Sequence, residues 1–89
     1  MKPEQIYQEL KELAEKLNIT VYEQSLRQTN IKAKSGFCIV KGRQRFIMDK
    51  NKTIHEKNTL LADCLAKMPH EDIYIIPAVR EFINKHALD

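Results

Sequence analysis

The stretch "FCIVKGRQRFIMD", residues 37–49, decides the fold because it holds two apolar runs on either side of a short turn. Gly42 supplies the positive backbone angle that a tight hairpin loop requires, and "RFIMD" returns as the second strand. The stretch therefore predicts an antiparallel hairpin over about residues 36–49. Phe37 to Val40 are apolar on both alternating faces, a pattern typical of an inner strand that is covered on both sides.

The segment before the hairpin predicts a helix followed directly by a strand. The helix starts near Pro3, which is well tolerated in a first turn, and ends near Asn18. Residues 19–24, "ITVYEQ", are β-branched and aromatic in character and predict the strand. The helix prediction depends on apolar residues that recur at intervals of three and four: Ile6, Leu10, Leu13 and Leu17.

The segment after the hairpin predicts two further helices. "TIHE", residues 53–56, has the spacing of a capping box, so a helix should begin there, and Pro69 ends it. Pro77 opens the last helix. The predicted fold class is therefore α+β, with an N-terminal helix, a three-stranded antiparallel sheet, and two C-terminal helices on one face of the sheet. A chain of 89 residues is expected to form a single domain, residues 1–89, with one modest core.

Composition excludes several classes of protein. Apolar residues make up 43% and charged residues 30% of the chain, as in ordinary soluble proteins, and no run approaches the roughly 18 apolar residues that a membrane span requires. The N-terminus has no continuous apolar run after its first lysine, which predicts neither a secretory signal nor an anchor, and so a cytoplasmic location. Cys38 and Cys64 are expected to be reduced, buried thiols.

Positive charge is concentrated in the middle of the chain. Residues 19–52 carry eight Lys or Arg and two Asp or Glu, although the whole chain has a net charge of only +3. Such a cluster favours contact with an anion, and two-stranded ribbons are known to bind nucleic acids. Charged residues also protect sheet edges from aggregation. The candidate residues for nucleic-acid or anion binding are Arg27, Lys32, Lys34, Lys41, Arg43 and Arg45.

The sequence gives little support to catalysis or to a metal site. No two of the three histidines have the three- to five-residue spacing of a helical metal site, so neither a metal nor a cofactor is expected. Cys64 has apolar neighbours, which favours a place in the core over a role as a nucleophile. Asn58 lies on the same helical stripe as Leu61 and Leu65. It is either a buried amide with hydrogen-bond partners or a polar residue in a cleft.

The order of hairpin, capped helix and "NTLLADCLAKM", residues 58–68, resembles the strand–helix unit of the zincin-type metallopeptidases, whose helix runs roughly T-L-A-H-E-L-G-H. Ala62 and Leu65 match that pattern. The two zinc-ligand positions hold Asp63 and Lys67, and the position of the catalytic glutamate holds Cys64. The resemblance therefore implies a degenerate scaffold that lacks the metal ligands and the activity. The chain also resembles small bacterial domains of unknown function with an "IYxxPAVRExI" tail.

The hypothesis that follows is a non-catalytic, cytoplasmic binding or protein-interaction module. Its partner would be another protein or a second copy of the chain, and not a membrane. The expected contact surface is either the basic hairpin or the apolar patch "IYII", residues 73–76. Two alternatives stay open: a nucleic-acid-binding domain that uses the basic hairpin of residues 27–52, and a degenerate metallopeptidase-like scaffold.

Overall fold

The computed structural model describes residues 1–25 and 36–87. It confirms the α+β class, with three helices and three strands close to the predicted bounds. In chain order the elements are α1 (Pro3–Lys16), β1 (Ile19–Gln24), β2 (Gly36–Val40), β3 (Arg43–Asp49), α2 (Ile54–Ala66) and α3 (Pro77–Ala87).

The connections between elements follow from a few residues with special backbone angles. Asn18 has φ of 63° and turns the chain from α1 into β1. Lys41 and Gly42, with φ of 52° and 78°, form the two-residue loop of the hairpin, and both angles are positive as a type I′ turn requires. At the start of α2, the Thr53 hydroxyl accepts a hydrogen bond from the amide of Glu56 at 3.2 Å, which confirms the predicted cap.

The sheet is mixed, so the prediction of a purely antiparallel sheet is wrong. The strand order is β1-β3-β2: β2 and β3 form the antiparallel hairpin, but β1 runs parallel to β3. Gln24 pairs with Asp49 and Gly36 pairs with Ile47. The chain therefore enters β2 at the same end of the sheet at which it leaves β1, and the hairpin then places β3 between the two.

This strand order also makes β2 an edge strand, so the prediction of a covered inner strand is wrong. The central strand is β3, whose alternation sends Phe46 and Met48 toward the helices and Arg45 and Ile47 to the opposite side. We call the first side the core face and the second the outer face. By register, the outer face also carries Tyr22, Cys38 and Val40.

The helices pack on one another as well as on the sheet. α2 contacts α1 and α3 and also β2 and β3, whereas α1 contacts β1, and the main contacts of α3 are with the other two helices. The largest fully buried side chains come from every helix and from two strands: Leu10, Ile19, Met48, Leu61, Leu65, Val79 and Ile83. Among residues 1–25 and 36–87, no helix is long and apolar enough to cross a bilayer.

Candidate interaction surfaces

The edge strand β2 exposes an unusual amount of apolar side chain. Phe37, Ile39 and Val40 are 38%, 65% and 38% exposed. Proteins usually protect such an edge with a charged side chain, a proline or a bulge. β2 contains no charged residue and no proline, and its register with β3 is continuous from Gly36 to Val40. No described strand pairs with its other side.

The hairpin loop determines which backbone groups of β2 point away from β3. In a two-residue hairpin the residues that flank the loop, here Val40 and Arg43, form a hydrogen-bonded pair. Because hydrogen-bonded and non-hydrogen-bonded pairs alternate, Cys38 also directs its N–H and C=O toward β3. Phe37 and Ile39 therefore direct theirs outward. We call this outward row of backbone groups the β2 edge.

An apolar groove lies beside the β2 edge, between β2 and α2. It has a volume of about 330 Å³. Phe37 and Phe46 are cross-strand partners on the core face, and Ile39 lies on that face next to Phe37. We call this cavity the β2–α2 groove; its lining residues are Gly36, Phe37, Phe46, Leu60, Asp63, Cys64, Lys67 and Met68.

The three positions that the metallopeptidase resemblance singled out all line the β2–α2 groove. Cys64 is buried, and burial raises the pKa of its thiol although Lys67 acts in the opposite direction. A protonated thiol is a poor nucleophile and a poor metal ligand. The carboxylate of Asp63 lies 3.2 Å from Nδ1 of His86. Within the described part of the chain, no three His, Cys, Asp or Glu side chains are grouped as a metal site requires.

The structure brings part of the predicted basic surface together on the outer face. The Arg45 guanidinium lies 5.3 Å from the ring centroid of Tyr22, which is 43% exposed. Arg43 is exposed on the same face, two residues before Arg45, and Lys41 is exposed in the hairpin loop. The remaining three predicted residues, Arg27, Lys32 and Lys34, lie outside the described residues.

Asn58 is buried rather than placed in the β2–α2 groove. Its side chain is 3% exposed, and Nδ2 donates a hydrogen bond to the carbonyl oxygen of Pro3 at 3.0 Å. Oδ1 has no donor among the described residues. The amide therefore connects α2 to the beginning of α1, and not to a strand.

The apolar patch of residues 73–76 is largely covered. Ile75 is buried, and Ile73 and Ile76 are half-buried and pack against the core. Tyr74 is the exception, with 79% of its surface exposed. A contact surface at this patch would therefore consist mainly of one tyrosine.

A polar cluster that sequence reasoning did not predict joins α1, β1 and α2. The Tyr7 hydroxyl donates a hydrogen bond to Glu23, and Nζ of Lys57 lies 3.2 Å from the same carboxylate oxygen. The Tyr7 hydrogen bond and Lys57 hold the pKa of Glu23 below its usual value, whereas burial and Glu23 raise the pKa of Tyr7. Lys11 lies 4.9 Å from the Tyr7 ring centroid. The cluster ties three elements together away from the β2–α2 groove.

The β2–α2 groove was also not predicted from the sequence. Two signals pointed to it: the run from Phe37 to Val40 is apolar on both faces, and Leu60 and Cys64 widen the apolar stripe of α2. Neither signal shows that the strand and the helix meet, because that contact depends on the strand order.

Comparison of the chain with protein-family models, with curated proteins and with solved structures found no match.

Proposed function

We propose that this protein is a non-catalytic protein-interaction module that binds an extended segment of a protein chain along the β2 edge. One observation carries the proposal. Ile39 is 65% exposed on a strand without charge or proline, next to a groove that its neighbour Phe37 lines. An edge strand beside an apolar groove is the arrangement that binding by strand addition uses.

In this binding mode the backbone and the side chains of the bound segment have separate roles. The N–H and C=O groups of Phe37 and Ile39 pair with the backbone of the bound segment and supply affinity. Alternate side chains of that segment then lie on the core face, over the β2–α2 groove. Its volume of about 330 Å³ is near the lower end of ligand pockets, roughly 300–1,000 Å³, which suits one or two apolar side chains.

The lining of the β2–α2 groove supports binding rather than catalysis. Leu60 and Met68 present apolar surface, and the raised pKa of Cys64 keeps its thiol protonated at neutral pH. In this proposal, Asp63 and Lys67 form a polar rim that orients the bound segment. The positions that resemble metal ligands in the metallopeptidase helix thus serve as groove lining.

A peptide-display selection tests the proposal. Wild-type protein is expected to enrich peptides in which apolar residues alternate, and Ile39→Lys is expected to weaken their binding at least tenfold, or about 1.4 kcal/mol. Thr20→Lys is the matched control, because Thr20 is an exposed strand residue at the other edge of the sheet. Hydrogen exchange at the amides of Phe37 and Ile39 should slow when the peptide binds. Enriched peptides that bind Ile39→Lys as well as wild type would contradict the proposal, as would a selection on monomeric protein that enriches none.

The outer face supports a second candidate function, binding of single-stranded nucleic acid. An exposed aromatic ring with cations on the same face of a sheet is an arrangement on which bases stack while the cations contact the phosphates. Tyr22, Arg43 and Arg45 provide it on one face of the sheet. This candidate uses the face opposite to the β2–α2 groove, so the two functions are separable by substitution.

Fluorescence anisotropy with labelled single- and double-stranded oligonucleotides, at several salt concentrations, tests the second candidate. Affinity is expected to rise as salt falls, to decrease in Tyr22→Ala, and to be lost in the double variant Arg43→Glu, Arg45→Glu. The double variant Lys2→Glu, Lys85→Glu is the control, because it makes the same change in net charge at exposed residues outside the sheet. The absence of binding at low salt would exclude this function.

A further inference from the structure

We infer that the segment that pairs with the β2 edge is β2 of a second copy of this chain, antiparallel to the first and related to it by a two-fold axis at Cys38. The inference rests on the proposed function, because it uses the same edge and the same groove. It goes further by naming the partner and the register.

The direction of the backbone groups selects this register. With Cys38 opposite Cys38 of the second copy, Phe37 of each copy lies opposite Ile39 of the other. Phe37 and Ile39 are the β2 residues whose N–H and C=O groups point outward, so both pairs exchange two hydrogen bonds. A shift by one residue would place an outward-pointing residue opposite an inward-pointing one. A shift by two would leave one of the two residues without a partner in β2.

The side chains of β2 are complementary to themselves in the same register. On the core face, Phe37 lies beside Ile39 of the second copy, an aromatic and β-branched pair of the kind that stabilises neighbouring strands. On the outer face, Val40 lies beside Gly36, so a large side chain meets a glycine. The small side chains of Cys38 meet at the axis. Each copy thus adds apolar surface next to the β2–α2 groove of the other.

Charge also permits a second copy as the partner. The chain has a net charge of +3, which would oppose self-association if the positive residues lay in the contact. β2 carries no charged side chain, and the rim of the β2–α2 groove holds one carboxylate, Asp63, and one ammonium group, Lys67. Among the described residues, β2 itself and the lining of the β2–α2 groove are therefore close to neutral although the whole chain is basic.

Two-fold symmetry explains how a protein with an exposed apolar edge strand can form a closed dimer instead of an aggregate. An exposed apolar edge strand is an aggregation site unless something covers it. A two-fold contact is isologous, so it covers both β2 edges at once and closes on itself. The product is one continuous sheet whose two outer edges are the β1 strands, and each β1 ends in the polar residues Glu23 and Gln24.

Sedimentation equilibrium tests the inference first. Wild-type protein is expected to be dimeric with a Kd below about 10 μM, and Ile39→Lys is expected to raise that Kd at least a hundredfold. The circular dichroism of Ile39→Lys should match wild type, because the substituted side chain is 65% exposed. Thr20→Lys, which introduces a lysine at the β1 edge instead, should stay dimeric. A dimer that tolerates Ile39→Lys would overturn the inference.

Oxidative cross-linking tests the register. A non-hydrogen-bonded antiparallel pair has a Cα–Cα distance of about 4.5 Å, within the range of about 4.4–6.8 Å that a disulfide spans. Diamide, which accepts the two electrons and two protons that the thiols lose, should convert wild type and Cys64→Ala to a covalent dimer. Cys38→Ser should remain uncross-linked. A covalent dimer that forms in Cys38→Ser, or that forms no faster than in urea-unfolded chain, would overturn the register.

The peptide selection separates the two levels of the argument. A strictly monomeric wild-type protein that binds display peptides through Ile39 would overturn the two-fold pairing and leave the interaction module intact. A monomeric protein that binds no peptide would overturn both.

Discussion

At the scale of single residues, the Asn58 side chain contributes to the free energy of unfolding, because it is buried and donates a hydrogen bond to the Pro3 carbonyl. Asn58→Ala is expected to lower the free energy of unfolding by about 0.5–1.5 kcal/mol, since it removes the hydrogen bond between α2 and the first turn of α1. Urea denaturation measures the change. Asn84→Ala, at an exposed position on α3, should stay within about 0.5 kcal/mol of wild type.

Asn58→Asp separates the lost hydrogen bond from the effect of charge. The carboxylate would be buried opposite a carbonyl oxygen, so its pKa in the folded state would lie above that in the unfolded chain. A raised pKa means that the penalty is absent at low pH and grows as pH rises above the unfolded pKa. The stability difference between Asn58→Asp and wild type should therefore be larger at pH 7 than at pH 4. An equal difference at both values would contradict the burial of this side chain.

The hairpin loop allows a second prediction at single residues. Among the described residues, no heavy atom outside the immediate chain neighbours of Gly42 lies within 4 Å of the position that a Cβ would take there, so Gly42→Ala adds backbone strain without a clash. We expect a loss of about 1–2 kcal/mol from the positive φ of 78°. Lys41→Asn should have the opposite sign, because Asn adopts positive φ more readily than Lys. Thermal unfolding checks both signs, and a stabilising Gly42→Ala would contradict the type I′ loop.

At the scale of elements, the contacts of Tyr7 and Lys57 with Glu23 should make the free energy of unfolding depend on pH in the acidic range. The pKa of Glu23 is lowered in the folded chain, chiefly by the Tyr7 hydrogen bond, and returns to its ordinary value of 4.5 on unfolding. A lowered folded pKa gives stability that is present above about pH 4.5 and is lost as pH falls through the folded value. Glu23→Gln and Tyr7→Phe should each reduce this loss.

Urea midpoints measured between pH 6 and pH 2 test this prediction. Glu81→Gln serves as the control, because Glu81 is exposed on α3 and its substitution removes one negative charge, as Glu23→Gln does. Glu23→Gln with an unchanged acid dependence would contradict the assignment of Tyr7 and Lys57 as its partners.

The helices and strands were predictable from the sequence, but the order of the strands in the sheet was not. Local periodicity predicts that Ile6 to Leu17 form a helix and that residues 36–49 form a hairpin, because these patterns depend on nearby residues. Period-two alternation does not specify which strand lies beside which. The run from Phe37 to Val40 shows the consequence: two apolar faces predicted a covered inner strand, whereas the structure has an edge strand that exposes Ile39. The β2–α2 groove was missed for the same reason.

At the scale of the whole molecule, the described elements share one core. Truncation of a core side chain in the sheet should therefore destabilise the protein about as much as truncation of one in a helix. Leu10 on α1 and Met48 on β3 are both fully buried in the same cluster. Leu10→Ala and Met48→Ala should each lower the free energy of unfolding by about 2–5 kcal/mol. Tyr74→Ala, at 79% exposure, should stay within about 0.5 kcal/mol of wild type.

Cooperativity is the measurement that distinguishes one core from two. In each variant, the unfolding transitions followed by helical circular dichroism and by tyrosine fluorescence should have the same midpoint. A Met48→Ala protein whose helices melt at the wild-type temperature would show that the sheet and the helices unfold separately.

The central position of β3 has a consequence for synthesis on the ribosome. β1 is complete at Gln24, but the strand with which it pairs ends at Asp49. At roughly 5–20 residues per second, translation of the intervening chain takes about one to five seconds. Throughout that interval the nascent chain contains α1 and β1 but lacks a complete β3, the strand with which β1 pairs. The sheet therefore assembles from both sides at once, when the last of its strands leaves the exit tunnel and takes the middle place.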